Sequence, residues 1–212
     1  MANEAPRDLI VGRPVLLVID IQKGSFHAGE DRGIPHMPGY AERVGGARVL
    51  IDKARDCAVP VVFFQEAHRR DRIDFGRELD GAEGVHCLEG NELTEIAADR
   101  LGLRRDDYVI AKRRYSCFFG TDLEILLKGL GASTLVLCGG LTDVCVHYTF
   151  VDGHQHDYHC RVAEECVAGS SRAAHDAALT AMAYLQTGAR RENAEILAAF
   201  EAVAERGLQA AQ

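Results

Sequence analysis

The feature that most constrains this sequence is a series of short apolar runs separated by segments with helical periodicity. The runs lie at 15–20, 61–64, 108–112, 135–138 and, more weakly, 161–163. Runs without polar alternation indicate strands buried on both faces, as in parallel sheets covered by helices. Because helices alternate with these strands, the sequence predicts right-handed crossovers and an α/β fold built as a three-layer α/β/α sandwich.

The segments between the runs carry apolar residues at helical spacing. Such stripes occupy 44–54, 123–130 and 174–185, and a last helix is expected over 193–200. Thr121 and Glu124 have the spacing of a capping box, which predicts the start of the second helix. The charged stretch 65–92 is expected to be a loop-rich excursion over the sheet edge. The length of 212 residues favours a single domain over 1–212.

Composition excludes several classes of partner. The formal net charge of −8 argues against a surface that neutralises nucleic-acid phosphates. No apolar run reaches the roughly 18 residues of a membrane span, and the first residues do not resemble a signal peptide. The seven cysteines are odd in number and include no CxxC pair, which is typical of reduced thiols. We therefore expect a cytoplasmic protein that binds neither nucleic acid nor membrane.

Three residues suited to covalent catalysis fall where strands are expected to end. Asp20 ends the first run, Lys112 ends the third, and Cys145 follows the fourth, beyond the pair Gly139 and Gly140. Ligands bind at the carboxyl ends of parallel strands. A Cys145 thiolate could attack a carbonyl, Lys112 could stabilise that thiolate, and Asp20 could accept the thiol proton. The glycine pair would free backbone N–H groups for an oxyanion hole.

Each of these residues also has an ordinary structural interpretation. A cysteine is often a small core residue, and an aspartate after a strand often caps a turn. A lysine at a strand end is often simply exposed to solvent. Position alone leaves both interpretations open.

Three sequence blocks resemble those of the isochorismatase-like cysteine hydrolases. Residues 18–26 resemble the family's D-x-Q-x-x-F opening, residues 109–123 its central lysine block, and residues 140–146 its nucleophile block. The likeness extends over roughly residues 13–190. It implies a six-stranded parallel sheet in the order 3-2-1-4-5-6 and assembly as a homodimer or homotetramer.

The resemblance also implies roles for individual residues. The family's catalytic triad maps onto Asp20, Lys112 and Cys145, and its non-proline cis peptide bond maps onto Gly140–Leu141. The backbone N–H groups of Leu141 and Cys145 would then form the oxyanion hole. The candidates for substrate binding are Gln22, Phe26, Glu66, His68, Tyr115 and Phe118.

Retention of the cysteine favours amide chemistry, because true isochorismatases lack it and act on a vinyl ether. We expect a cysteine-dependent amidohydrolase that cleaves a C–N bond of a small carbamoyl, ureido or primary amide substrate through a thioester. The alternatives are a metal-assisted nicotinamidase-type amidase, a non-catalytic binding protein, and a thiol sensor built on Cys145. A sensor would need a resolving cysteine, for which Cys138 is the nearest in sequence.

No cofactor is predicted. Nicotinamidases bind a divalent metal through an Asp-x-His pair and a later His-Cys pair, and the matching segments here are 66–68 and 86–87. If a metal is bound, the resemblance implies Glu66, His68 and His86 as its ligands.

A second group of histidines follows the nucleophile block. His154, His156 and His159 fit no standard zinc spacing and are expected to lie at a solvated helix end or turn. Gln186 is a candidate for reaching the site of a neighbouring subunit.

Overall fold

The computed structural model of the protein describes residues 8–27, 34 and 36–210. Within them, six parallel strands form one sheet in the order β3-β2-β1-β4-β5-β6, which confirms the order implied by the resemblance. The strands are β1 Arg13–Ile19, β2 Val61–Glu66, β3 Tyr108–Lys112, β4 Ala132–Gly140, β5 His159–Ala168 and β6 Arg190–Arg191.

Helices cover both faces of this sheet, so the three-layer architecture is confirmed. They are α1 Tyr40–Asp56, α2 Ala98–Leu101, α3 Leu123–Leu130, α4 His147–Gln155, α5 Arg172–Leu185 and α6 Asn193–Ala210. Apolar residues of α1, α2 and α6 join the core on one face, and those of α3, α4 and α5 join the core on the other.

The central strand β1 shows why its sequence has no polar alternation. Leu16 and Val18 point into the core under α1 and α6, whereas Leu17 and Ile19 point into the core under α3 to α5. Successive strand residues face opposite sides, and here both sides are covered. The strand therefore reaches the carboxyl edge of the sheet rigidly packed, with Asp20 as its next residue.

The start of α3 differs from the prediction. The helix begins at Leu123, so Thr121 lies one residue outside the N-cap position. The Thr121 hydroxyl donates to the carbonyl of Cys117 at 2.5 Å and accepts from the backbone N–H of Leu123. Glu124 instead pairs with Lys128 at 2.6 Å. The predicted capping box is therefore wrong, because the turn at Cys117 uses the Thr121 hydroxyl.

The stretch between β2 and α2 is loop-rich, as predicted. It contains two short 3-10 turns, Glu78–Asp80 and Glu92–Thr94, and folds over the carboxyl edge of β2. No helix in the described part of the chain is long and apolar enough to cross a membrane. All seven cysteines are free.

Candidate active site

The three predicted catalytic side chains meet at the carboxyl edge of the sheet. The Nζ atom of Lys112 lies 2.8 Å from Oδ2 of Asp20 and 3.4 Å from Sγ of Cys145. Lys112 ends the edge strand β3, and its long side chain spans β2 to reach the two residues that follow β1 and β4. All three side chains are buried or nearly so.

The turn after β4 places Cys145. Gly139 has a φ of +113°, and a side chain there would collide with the carbonyl of Ile19 on β1. The peptide bond Gly140–Leu141 is cis, as predicted. A single π-helical turn, Thr142–Val146, then leads into α4. Cys145 thus lies at the start of a helical segment, where the helix dipole favours a thiolate.

The protonation of the three groups follows from burial and mutual charge. Burial raises the pKa of Asp20 to about 6, against the opposing effect of Lys112. Burial alone would lower the pKa of Lys112, but Asp20, Cys145 and Glu66 together raise it well above its usual range. Burial raises the pKa of the Cys145 thiol well above its usual range, against the opposing effect of Lys112.

Glu66 adds a second carboxylate to the cluster. It pairs in register with Lys112 across β2 and β3, so both side chains project from the same edge. Oε2 of Glu66 lies 3.6 Å from Nζ of Lys112 and 4.0 Å from Sγ of Cys145. Burial would raise the pKa of Glu66, but Lys112, His68 and His86 hold it well below its usual range. One ammonium therefore faces two carboxylates and a thiol.

The other oxygen of Glu66 faces a group of buried side chains of the types that can ligate a metal. Oε1 of Glu66 lies 3.4 Å from Nε2 of His68 and 3.6 Å from Nε2 of His86, and Oε2 of Glu78 lies 3.1 Å from Nε2 of His68. The four side chains offer donor atoms within 4.8 Å of one another. Glu78, in the 3-10 turn after β2, was not among the predicted ligands.

This donor set fits a divalent cation. Four ligands placed about 2.0–2.1 Å from a tetrahedral zinc ion lie about 3.3–3.4 Å apart. Three of the separations here are 3.1, 3.4 and 3.6 Å, and all four donor atoms lie within 4.8 Å of one another. Oε1 of Glu78 and Nε2 of His86 are buried without a hydrogen-bond partner among the described residues. Nδ1 of His86 lies 2.7 Å from the carbonyl of Gly84, which leaves Nε2 as the free ligand atom.

The same side chains can also be neutralised by protons. Burial would lower the pKa of His68, but hydrogen bonds to Glu66 and Glu78 raise it to about 9. The pKa of His86 is likewise raised against burial, mainly by Glu66. A bound cation or protonated histidines would each offset the charge of Glu66 beside the thiol.

A cavity of about 140 Å³ opens onto Cys145. Of the predicted substrate-binding residues, Gln22, Glu66 and Tyr115 line it, as do both predicted oxyanion-hole residues, Leu141 and Cys145. The sequence interpretation missed Tyr40, Glu83, Asn91 and Thr94, which also line the cavity.

Gln22 has a structural task within this lining. Its side-chain amide donates to the carbonyls of Glu66 at 3.0 Å and Thr94 at 2.5 Å, and its carbonyl accepts from the N–H of Glu66 at 3.1 Å. These bonds use both ends of the amide. Gln22 therefore braces β2 and the loop over it, and its predicted contact with substrate stays a prediction.

Two predicted substrate-binding aromatic residues, Phe26 and Phe118, are not among the residues that line the cavity. The ring of Phe26 lies 5.4 Å from that of Tyr40, which stands nearer the cavity. Phe118 stacks on His156 at 5.1 Å, over the end of α4. Both belong to sequence blocks that resemble family motifs, but their rings pack against apolar clusters beside the cavity.

His68 is also absent from the lining. It is fully buried behind Glu66 and stacks on Phe75 at 3.9 Å. Its position suits a ligand of the buried group better than a contact to substrate.

The later histidines play no part in this site. His156 packs on Phe118, and His154 shares a hydrogen bond of 3.0 Å with Gln186. Gln186 also accepts from Arg161 at 2.5 Å. Gln186 is thus bonded within its own chain, and its reach to a neighbouring subunit stays a prediction.

A comparison with protein-family models identifies the family of this chain. The model described as the isochorismatase domain matches residues 14–194. The chain belongs to the isochorismatase family. The expected resemblance is confirmed, and membership makes the chain a hydrolase whose relatives include a maleamate amidohydrolase and ureidoacrylate amidohydrolases.

Individual relatives of this isochorismatase-family chain cover most of its length. Maleamate amidohydrolase of Pseudomonas putida is 31% identical over 171 residues, which are 79% of this chain and 78% of the relative. A cysteine hydrolase from Pseudomonas syringae pv. phaseolicola has a TM-score of 0.80 and 25% identity, covering 94% of this chain and 97% of that one. A pyrazinamidase of Pyrococcus horikoshii, solved in complex with zinc, has a TM-score of 0.73 and 25% identity. The match covers 85% of this chain and 99% of that one.

Proposed function

We propose that this chain is an amidohydrolase that uses Cys145 to cleave a C–N bond of a small primary amide, carbamoyl or ureido compound through a thioester. The observation that carries the proposal is the contact of the buried Lys112 ammonium with Sγ of Cys145 at 3.4 Å and with Asp20 at 2.8 Å. The name of the maleamate-cleaving relative supports the same reaction class.

Asp20 is the better of the two carboxylates as proton acceptor. Its pKa of about 6 lies far closer to neutral pH than the depressed pKa of Glu66. General bases are most efficient when their pKa lies near the working pH. Oδ1 of Asp20 is buried and accepts no hydrogen bond from the described residues, so it is free to take the thiol proton.

The first half-reaction forms the thioester. Sγ of Cys145 attacks the substrate carbonyl carbon as its proton passes to Asp20, and the carbonyl oxygen takes the negative charge. In this proposal the backbone N–H groups of Leu141 and Cys145, both in residues that line the cavity, stabilise that oxyanion. The tetrahedral intermediate then collapses, the C–N bond breaks, and Asp20 returns the proton to the leaving nitrogen.

The second half-reaction releases the acid. Water enters the position of the departed amine, and Asp20 takes one of its protons while the oxygen attacks the thioester carbon. The C–S bond breaks and the proton returns to Sγ of Cys145. Lys112 keeps its charge throughout and stabilises the thiolate each time it forms or leaves.

A second candidate function is a metal-assisted amidase. The observation that favours it is the group of Glu66, His68, Glu78 and His86, which would hold a divalent cation. When bound, such a cation supplies a Lewis acid and a positive charge beside the substrate cavity. Glu66 and His86 belong both to this group and to the cavity lining.

The experiment that tests both candidates is ammonia release from a panel of small amides and ureido compounds: maleamate, ureidoacrylate, N-carbamoylsarcosine, biuret and nicotinamide. Wild type and Cys145→Ala are assayed with and without a chelator. Release that needs Cys145 and survives chelation supports the metal-free enzyme, and loss on chelation with recovery on adding Zn²⁺ supports the metal-assisted one. Release that is equal in Cys145→Ala would overturn both.

We further propose that the protein is cytoplasmic and that it assembles as a homodimer or homotetramer.

A further inference from the structure

Two consecutive residues of the nucleophile turn, Thr142–Val146, are bonded to the junction of β5 and α5: one to His175 in the first turn of α5, the other to Ser170 in the segment that joins the two elements. Oγ1 of Thr142 and Nδ1 of His175 share a hydrogen bond of 2.8 Å. Ser170 donates to Asp143 twice, from its backbone N–H at 2.8 Å and from its hydroxyl at 2.6 Å. Thr142 is fully buried and His175 is 2% exposed, so water cannot replace the Thr142 bond.

The nucleophile turn depends on contacts with other segments to hold its position. Residues Thr142–Val146 form a π-helical turn, a rare form that occurs frequently at functional sites. The carbonyl of Leu141 accepts from the N–H groups of both Val144 and Val146 at 3.1 Å. No side chain caps the start of the turn. The regular hydrogen bonds of an α-helix therefore do not fix the position of Cys145.

The joining segment is packed tightly enough to act as that support. A side chain at Gly169 would lie 2.7 Å from Oδ1 of Asp143 and 2.8 Å from Cβ of His175. The carbonyl of Gly169 accepts from the N–H of Met37 at 2.8 Å, which ties the segment to the start of α1. Neither Ser170 nor His175 lines the cavity, so neither is placed to contact substrate.

We propose that Ser170 and His175 are positioning residues for the reaction, acting through Asp143 and Thr142 to hold the nucleophile turn so that Cys145 and the oxyanion-hole N–H groups stay aligned. This proposal rests on the proposed function. A shift of the nucleophile by about 1 Å can cost about a hundredfold in rate while substrate binding is little changed. The role therefore appears in kcat and leaves KM nearly constant.

The test uses Ser170→Ala, His175→Leu and His175→Asn, in which the amide can replace Nδ1. Asp176→Asn is the matched control, because Asp176 lies on the same helix α5 but pairs with Arg172 at the surface. Measured quantities are kcat, KM, the rate of Cys145 alkylation by iodoacetamide and the thermal midpoint. For Ser170→Ala and His175→Leu we expect kcat to fall about ten- to a hundredfold with KM within about twofold, and His175→Asn to recover most of the loss.

Folded Ser170→Ala and His175→Leu variants with kcat within about twofold of wild type would overturn the proposal. So would a loss that His175→Asn does not restore although it regains the thermal midpoint, because the role is then only structural. If wild type releases no ammonia from any compound, the proposed function fails. The rate of Cys145 alkylation then tests the positioning role on its own. A rate changed in Ser170→Ala and His175→Leu but not in Asp176→Asn supports the positioning role, and rates equal to wild type contradict it.

Discussion

The Nζ atom of Lys112 lies 2.8 Å from Oδ2 of Asp20, in a pair whose lysine side chain is completely buried. The same ammonium lies 3.6 Å from Glu66 and 3.4 Å from Sγ of Cys145. A buried charge is tolerated when opposite charges surround it, and each partner becomes costly once the other is removed. Lys112 is thus both the electrostatic centre of the site and a condition for burying its carboxylates.

Replacing this lysine should destabilise the fold strongly. Lys112→Met leaves Asp20 and Glu66 buried without their cation, and breaking a buried pair in this way costs about 3–5 kcal/mol in the free energy of unfolding. Urea unfolding of wild type and Lys112→Met measures this difference in the free energy of unfolding. The matched control is Lys128→Met, which removes an exposed pair with Glu124 and should change stability little. Equal stability of the two variants would mean that Lys112 is not charged in the fold.

The pH dependence of kcat should report Asp20. The carboxylate must be ionised to accept the thiol proton, and burial raises its pKa from 3.8 to about 6. Because protonation removes the base, kcat should fall about tenfold per pH unit below that pKa and level off above it.

Glu83→Gln is the control for this profile, because Glu83 also lines the cavity and its pKa is also raised by burial. Its acid limb should match that of wild type. A wild-type kcat that stays constant down to pH 5, or a limb that disappears in Glu83→Gln, would show that Asp20 is not the titrating base.

The glycine before the cis peptide bond should not tolerate a side chain. Gly139→Ala places a Cβ against the carbonyl of Ile19 at a φ of +113°, so we expect loss of folding or a destabilisation of at least about 3 kcal/mol. Gly45→Ala is the matched control, since a Cβ there meets nothing within 4 Å on α1. It should stabilise the protein by about 0.5–1 kcal/mol. Thermal and urea unfolding of both variants check the contrast.

Glu78 should contribute to the affinity for a divalent cation. Glu78→Gln removes one charged ligand of the four, and we expect at least about a tenfold loss of Zn²⁺ affinity, measured by competition with a chromogenic chelator. Glu83→Gln should bind as wild type does. If wild type binds no Zn²⁺, the four side chains form a protonated network instead, and chelation should leave its activity unchanged.

The buried strands could be predicted from features that are local in sequence, whereas the strand order and the catalytic triad follow from the family resemblance. The runs at 15–20 and 135–138 are apolar because β1 and β4 are buried on both faces, and the motifs around Asp20, Lys112 and Cys145 follow strand ends directly. The run at 108–112 has the same appearance, yet β3 is the edge strand and Tyr108 is 45% exposed. The two-residue strand β6 has no apolar run at all.

The remaining part of the site depends on contacts between distant segments. Glu78 is an ordinary acidic residue in a charged loop, and only the folding of that loop over β2 buries it beside His68. Gln22 matched a motif, but its amide bonds to Glu66 and Thr94 reveal a bracing role that spacing alone cannot show. Phe118 also belongs to a motif, but its ring stacks on His156 just after α4 and does not line the cavity.

The most direct test of the account is the covalent intermediate on Cys145. Intact-mass and peptide mass spectrometry of enzyme quenched in acid during turnover should find an acyl adduct on Cys145, absent from Cys145→Ala, in which ammonia release should fall by at least about 10⁴-fold. Cys57→Ser, a half-buried cysteine outside the cavity, should keep the adduct and the full rate. A Cys145→Ala protein that releases ammonia at a near-normal rate would contradict the account.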